Sequence, residues 1–204
     1  GFLREPKDIT SYSALTCIAI QSNQNDQHGG QSIVNFDRGL APGVAKTYLK
    51  RFAASLLNGL KLLASESVWD REAVDLLVAE ASAESGERPQ LAETPVFDAS
   101  LMQKLTVRIG ADMATKLLRH VRTSAVAETD RATYQAMEAL VHNLNTMHSR
   151  AGAQTPFSSV NYGTDTSPEG RMVMRNMLLA TEAGLGEGET PIFPIQIFRV
   201  KEWI

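Results

Sequence analysis

The sequence predicts an α/β fold rich in helix, with a few short strands near its two ends and a long helical excursion between about 41 and 148. Two observations predict it. Through the middle of the chain, apolar residues recur at steps of three and four, the period of amphipathic helices. Near 31–36, 155–162 and 192–200, short apolar runs are bounded by Gly, Pro and small polar residues, as strands are.

The elements follow in order. Asp8 or Thr10 can cap a first helix that carries Ile9, Tyr12, Leu15, Ile18 and Ile20 to about Asn23. It is apolar on more than one face and is expected to be buried. The polar run from Gln21 to His28 ends it and Gly29-Gly30 breaks it, before a short strand over 31–36. Pro42 suits a helix start, followed by Val44, Tyr48, Phe52, Leu56, Leu60 and Leu63. A third helix over 70–83 places Ala73, Leu76, Leu77 and Ala81 on one side, and Pro89 and Thr94-Pro95 mark a loop. Asp98 is expected to cap a run through Leu101, Leu105, Ile109, Met113, Leu117 and Val121, and a further helix spans about 128–147. After a strand over 155–162, Ser167-Pro168-Glu169 combines a capping hydroxyl, a first-turn proline and an early carboxylate. That helix runs to Ala183 and stops at Gly184–Gly188, and a last strand covers 192–200.

Composition narrows the classes of function. The 204 residues are 43 % hydrophobic and 21 % charged, with a net charge of −3, enough for one sizeable core. This mild acidity, without a dense Lys/Arg block, argues against a nucleic-acid partner. No apolar run has the length of a membrane span. The start, Gly1-Phe-Leu-Arg-Glu-Pro, has neither a signal-peptide core nor a Met and reads as an excised beginning. A single cysteine excludes an internal disulfide and a Cys-rich metal site and suits a reducing cytoplasm.

The strand over 155–162 is the first candidate site. It mixes Ser158, Ser159 and Asn161 with Phe157, Val160 and Tyr162, as a strand does when one face lines a polar cavity. A period of two puts Ser159 and Asn161 on one face with Phe157, and Ser158 on the other. A second candidate is the segment from Gln21 to Ser32. Its amides, such as Gln27, can read a base, and Gly29-Gly30 lets a ligand approach the backbone. Lys46 and Lys50, one helical turn apart, could meet phosphates. A solvated turn beside a surface helix is the plain alternative. No Walker or dinucleotide fingerprint occurs.

Other reactive residues offer little. Cys17, flanked by apolar residues on a helix, reads as an inert core thiol. His28, His120, His142 and His148 show no metal-ligand spacing, and no metal is expected. Ser158 and Ser159 lack a neighbouring general base. Arg171, in the first turn of its helix, either contacts an anion or pairs with Glu169.

Several of these segments together carry a resemblance. Ala151-Gly-Ala-Gln-Thr-Pro-Phe-Ser-Ser-Val-Asn-Tyr-Gly-Thr-Asp-Thr-Ser-Pro-Glu-Gly-Arg171 resembles the anaerobic (class III) ribonucleoside-triphosphate reductases. So do Glu182-Ala-Gly-Leu-Gly-Glu-Gly-Glu-Thr-Pro-Ile-Phe-Pro-Ile195, Gln21 to Ile33, Asn35-Phe-Asp37 and Ala41 to Lys46. The resemblance covers nearly the whole chain and is weakest over about 65–99. It departs at Val34, where many relatives have proline, and after Lys201-Glu202, where Trp203-Ile204 replaces the usual wording. That end reads as a truncation or frameshift scar, the edge of an intervening sequence or an artificial end.

The resemblance implies an internal piece of a longer enzyme, a single partial barrel domain of the glycyl-radical type holding the helical excursion. That enzyme would reduce ribonucleoside triphosphates by radical chemistry. An iron–sulfur, S-adenosylmethionine-using activase would make its glycyl radical, and formate or a thiol system would supply the electrons. ATP and deoxynucleotide effectors would bind near the dimer interface of a homodimer. Ser158, Ser159 and Asn161 would line the substrate cavity. Gln27, Gly29, Gly30, Lys46 and Lys50 would contribute to an effector site. The family's radical cysteine and glycyl-radical segment have no counterpart here, so the resemblance implies no catalytic residue and no cofactor in this chain, which alone would be inactive. The alternatives are a non-catalytic nucleotide-binding or dimerising fragment, or a remnant that does neither.

Overall fold

The computed structural model describes residues 4–27, 29–64, 69–147 and 155–200. His28, His148, the segment 148–154 and Trp203-Ile204 lie outside the described residues. The order of elements is α1 (Ile9–Asp26), β1 (Gln31–Ile33), α2 (Phe36–Leu63), α3 (Arg71–Ser85), α4 (Pro95–Ile109), α5 (Ala111–Thr146), β2 (Ser158–Tyr162), α6 (Pro168–Ala183) and β3 (Ile195–Phe198). The chain is therefore helix-rich with a small α/β element. It divides into two compact units, Gly1–Lys46 with Asp130–Ile204, and Thr47–Thr129.

The first unit carries the sheet. Its three strands are parallel in the order β1-β2-β3. Asp8 caps α1 by accepting the Ser11 N–H at 2.9 Å. The buried Ser13 hydroxyl donates to the Ala136 carbonyl of α5 at 3.0 Å. Helix α2 starts at Phe36, ahead of the expected start at Pro42, and Pro42 lies inside it. Phe36, Leu40 and Val44 are all buried, so packing holds the turn that a proline would otherwise discourage. Gly43 follows, and a Cβ there would come within 2.9 Å of Tyr12 and 3.1 Å of Ile9. The Pro-Gly pair thus lets α1 and α2 approach closely. Cys17 is buried in α1, and burial pushes its thiol pKa up.

The second unit is helical. Tyr48, Phe52, Leu56 and Leu60 of α2 pack with Val74 and Leu77 of α3, Phe97, Leu101 and Leu105 of α4, and Leu117 and Val121 of α5. Asp70 caps α3 through the Ala73 N–H at 2.8 Å. Helix α4 begins at Pro95, three residues before the expected Asp98 cap. Its N-cap Thr94 makes no side-chain cap bond, because its hydroxyl instead accepts from Arg122. Asp98 also accepts from Arg122, which donates to the Tyr48 hydroxyl and the Gln90 carbonyl at 3.1 Å each and lies over the Phe52 ring. One guanidinium therefore joins α2, α4, α5 and the loop before α4.

The break expected between 121 and 128 is absent, and the chain breaks at Gly110. Gly110 takes φ +79°, which ends α4 with its N–H on Thr106 O. From Ala111 to Thr146 there is no Gly or Pro, and the buried Ala125 and Thr129 carry one helix through the expected gap.

Two outcomes follow for the complete protein. Arg122→Ala should lower its unfolding free energy by about 2–3 kcal/mol, because the groups that Arg122 satisfies are partly buried. Arg122→Lys should recover only part of this, since an ammonium cannot reproduce the fork. Urea titration of the variants checks both. Cys17 should react with iodoacetamide far more slowly in the native protein than in urea, and Cys17→Ala should cost about 1 kcal/mol without changing activity.

Candidate functional site

The strand register defines the site. Ser32 pairs with Ser159, Ser159 with Ile195 and Asn161 with Ile197. Partners in a parallel ladder project to the same side, so Ser32, Ser159, Asn161, Ile195 and Ile197 share one face. Gln31, Ser158, Val160, Tyr162 and Gln196 share the other. On the second face Ser158 and Val160 are fully buried and Tyr162 nearly so, while Phe198 at its edge is 63 % exposed. The first face is more open, with Ile195 43 % and Ile197 44 % exposed. Parallel sheets are normally covered on both faces, so this half-open face, with two hydroxyls and an amide between isoleucines, is the notable surface of the unit.

Two polar atoms of β2 are buried without a hydrogen-bond partner among the described residues, the Ser158 Oγ and the Asn161 Oδ1. On the helix side, the Tyr162 hydroxyl donates to Gln196 at 2.7 Å, and the Gln196 amide donates to Thr181 Oγ1 at 2.7 Å. Burial pushes the Tyr162 pKa up, so this chain of bonds holds a neutral phenol.

The carboxyl ends of all three strands are tied together. Asp37, two residues after the strand-ending turn of β1, is fully buried. One of its oxygens accepts the Arg38 N–H at 2.9 Å, the other the Gly163 N–H at 2.9 Å and the Asp165 N–H at 3.1 Å. Asp165 in turn accepts the Ser167 N–H at 2.9 Å, and Ser167 caps α6 by accepting the Gly170 N–H at 3.0 Å. Gly163 takes φ +115°, and a Cβ there would sit 2.4 Å from the Arg199 carbonyl just past β3. Arg199 N–H donates to Tyr162 O at 2.7 Å. Ahead of β3, Asn145 of α5 accepts the N–H groups of Ile192 and Phe193 at 2.9 and 3.0 Å and donates to the Phe193 carbonyl at 2.6 Å.

The remaining expected site residues fall in separate places. Gln27 caps α1 and is exposed, Gly29 takes φ +110° with open space around it, and a Cβ on Gly30 would come 2.9 Å from the Phe157 ring. Gly30 is thus needed for packing on Phe157. Lys46 lies at the opposite end of α1, donating to Glu5 at 2.5 Å and to the Pro6 carbonyl at 3.0 Å, beside the Tyr12 ring. Tyr12 and Gln27 are separated by about 22 Å of helix at 1.5 Å per residue. The structure therefore does not bring Lys46 to the Gln27–Gly30 turn. Lys50 belongs to the helical unit, where it lines a groove of about 720 Å³ with Arg71 and Arg88. Arg171 is exposed at the start of α6. Among the described residues, no group of three His, Cys, Asp or Glu is placed to hold a metal ion. Among the described residues, no helix is long and apolar enough to cross a membrane.

Sequence reasoning passed over Asp37 and Asn145. Asp37 did carry a signal, the Asn35-Phe-Asp37 wording, but its partners lie 126 and 128 residues away. Asn145 had none, being one polar residue on a long helix.

Comparison with known proteins bears on this arrangement. The sequence profile of the family described as anaerobic ribonucleoside-triphosphate reductase matches residues 1–204. The chain is 24 % identical to the anaerobic ribonucleoside-triphosphate reductase of Enterobacteria phage T4 over 203 residues, 99 % of this chain and 24 % of that protein. It is 34 % identical over 79 residues to the proteins of that name from Salmonella typhimurium and Escherichia coli, 38 % of this chain and 11 % of each. The chain thus spans about a quarter of the phage relative's length. With its whole length matched by one profile, the chain belongs to the anaerobic ribonucleoside-triphosphate reductase family.

Proposed function

We propose that this chain is the part of an anaerobic ribonucleoside-triphosphate reductase that supplies one wall of the substrate cavity. The complete enzyme would convert ribonucleoside triphosphates to deoxyribonucleotides by radical chemistry. The three parallel strands would be a segment of its barrel. The observation that carries this reading is the half-open sheet face, on which Ser32, Ser159 and Asn161 stand between Ile195 and Ile197. Hydroxyls and an amide on a rigid strand can hydrogen-bond a sugar or phosphate, and the isoleucines exclude water. Ser158, on the other face, would support the strand from behind. Its unpartnered Oγ suits a buried water or a contact from elsewhere in the protein.

The radical groups would come from other parts of the enzyme. Cys17 is unsuited to such a role because its thiol is buried in α1 and its pKa is raised. The glycyl radical, the iron–sulfur activase that makes it, the reductant, the homodimer and a cytoplasmic setting belong to this proposal as the family reading implies them. An effector contact is supported by the exposed Gln27 amide and the open Gly29 turn. Lys46 is already paired with Glu5.

In the full-length enzyme, Asn161→Ala and Ser159→Ala should each raise the KM for a ribonucleoside triphosphate by about tenfold, as loss of one or two hydrogen bonds to a bound substrate does. Wild-type KM in both variants would refute the cavity reading. Gln27→Ala should weaken deoxynucleotide effector binding in calorimetry while leaving substrate KM intact. Unchanged affinity would remove Gln27 from any effector site.

A further inference from the structure

We propose that Asp37 is a positioning residue for the substrate-binding end of β2, setting the loop 163–167 and, through it, Asn161. The proposal rests on the reading of the open sheet face given above. Ligand sites of parallel α/β sheets lie beyond the carboxyl ends of the strands, where short loops carry the contacting groups. Here those ends converge on one point. Asp37 follows β1, Gly163 and Asp165 follow β2, and the Arg199 carbonyl that crowds Gly163 follows β3.

The geometry gives Asp37 the controlling place. Its side chain is fully buried, and one oxygen receives two loop amides while the other receives Arg38 N–H. Gly163 is two residues past Asn161 and is held from both sides, by Asp37 on its N–H and by the Arg199 carbonyl against its α-carbon. The loop therefore has little room to shift. Asp165 passes the constraint to Ser167 and the first turn of α6. A shift of the loop would move Asn161 along the strand and weaken its hydrogen bond to a bound substrate.

The test uses the full-length reductase with its activating system. Asp37→Asn keeps the size of the side chain but puts an amide N–H₂ where one of the two oxygens accepted. Either the Arg38 contact or the pair of loop contacts is lost. The expected result is a KM for a ribonucleoside triphosphate raised about tenfold or more, kcat within about threefold of wild type, and unchanged affinity for a deoxynucleotide effector. Gly163→Ala presses on the same loop from the Arg199 side and should give the same signature. It decides the matter if Asp37→Asn does not fold. Wild-type KM in both Asp37→Asn and Gly163→Ala, each folded, overturns the proposal. So does a fall in effector affinity and melting temperature that accompanies the KM change, which marks general damage. If Asn161→Ala and Ser159→Ala also leave KM unchanged, the cavity reading itself has failed. If they raise it while Asp37→Asn and Gly163→Ala do not, only the positioning role has.

Discussion

The sheet-bearing unit depends on one buried carboxyl group. Its strands are only three to five residues long, too short a ladder to be stable without support. Asp37 provides that support at the strands' carboxyl ends. It accepts hydrogen bonds from two part-buried loop amides, each worth about 0.5–1.5 kcal/mol. Those amides lie 126 and 128 residues away, across the whole helical excursion. The start of α2 and the start of α6 are thereby fixed to each other, and β2 between them takes its place in the sheet.

Local signals made much of the fold legible in the sequence. Asp8 and Ser167 cap the helices that their side chains suggest, and Asp70, read as the first residue of its helix, caps it, because an N-cap needs only neighbours three residues on. The ends at Gly86 and Gly184 were likewise marked by glycine. What misled was competition from distant partners. Asp98 looks like a cap in sequence, but its side chain accepts from Arg122, and α4 begins at Pro95 in the stretch that reads as a loop. Pro42 looks like a first residue, yet buried Phe36 and Leu40 pull the helix start forward. Gly110 looks like a tolerable interruption in an apolar repeat, and only its positive φ reveals a true end.

The candidate site was legible to a different degree. Period-two reasoning alone separates Ser159 and Asn161 from Ser158, and the register assigns them to opposite faces in the same way. The wording of the strand could not say which face the helices cover. That depends on α6, whose Val173, Met177 and Ala180 are buried. The grouping of Gln27, Gly29, Gly30, Lys46 and Lys50 fared differently, because closeness in sequence hid the length of α1. Lys46 returns to the start of that helix and meets Glu5, while Gln27 stands at its end.

The most direct measurement is site-resolved hydrogen exchange on the amides of Gly163 and Asp165 in the complete protein. If the Asp37 carboxyl anchors the carboxyl edge of the sheet, both amides exchange as slowly as those of Val160 and Tyr162 within β2, despite lying in a loop. Exchange of Gly163 and Asp165 at the rate of an open surface loop, with β2 itself protected, would contradict the account.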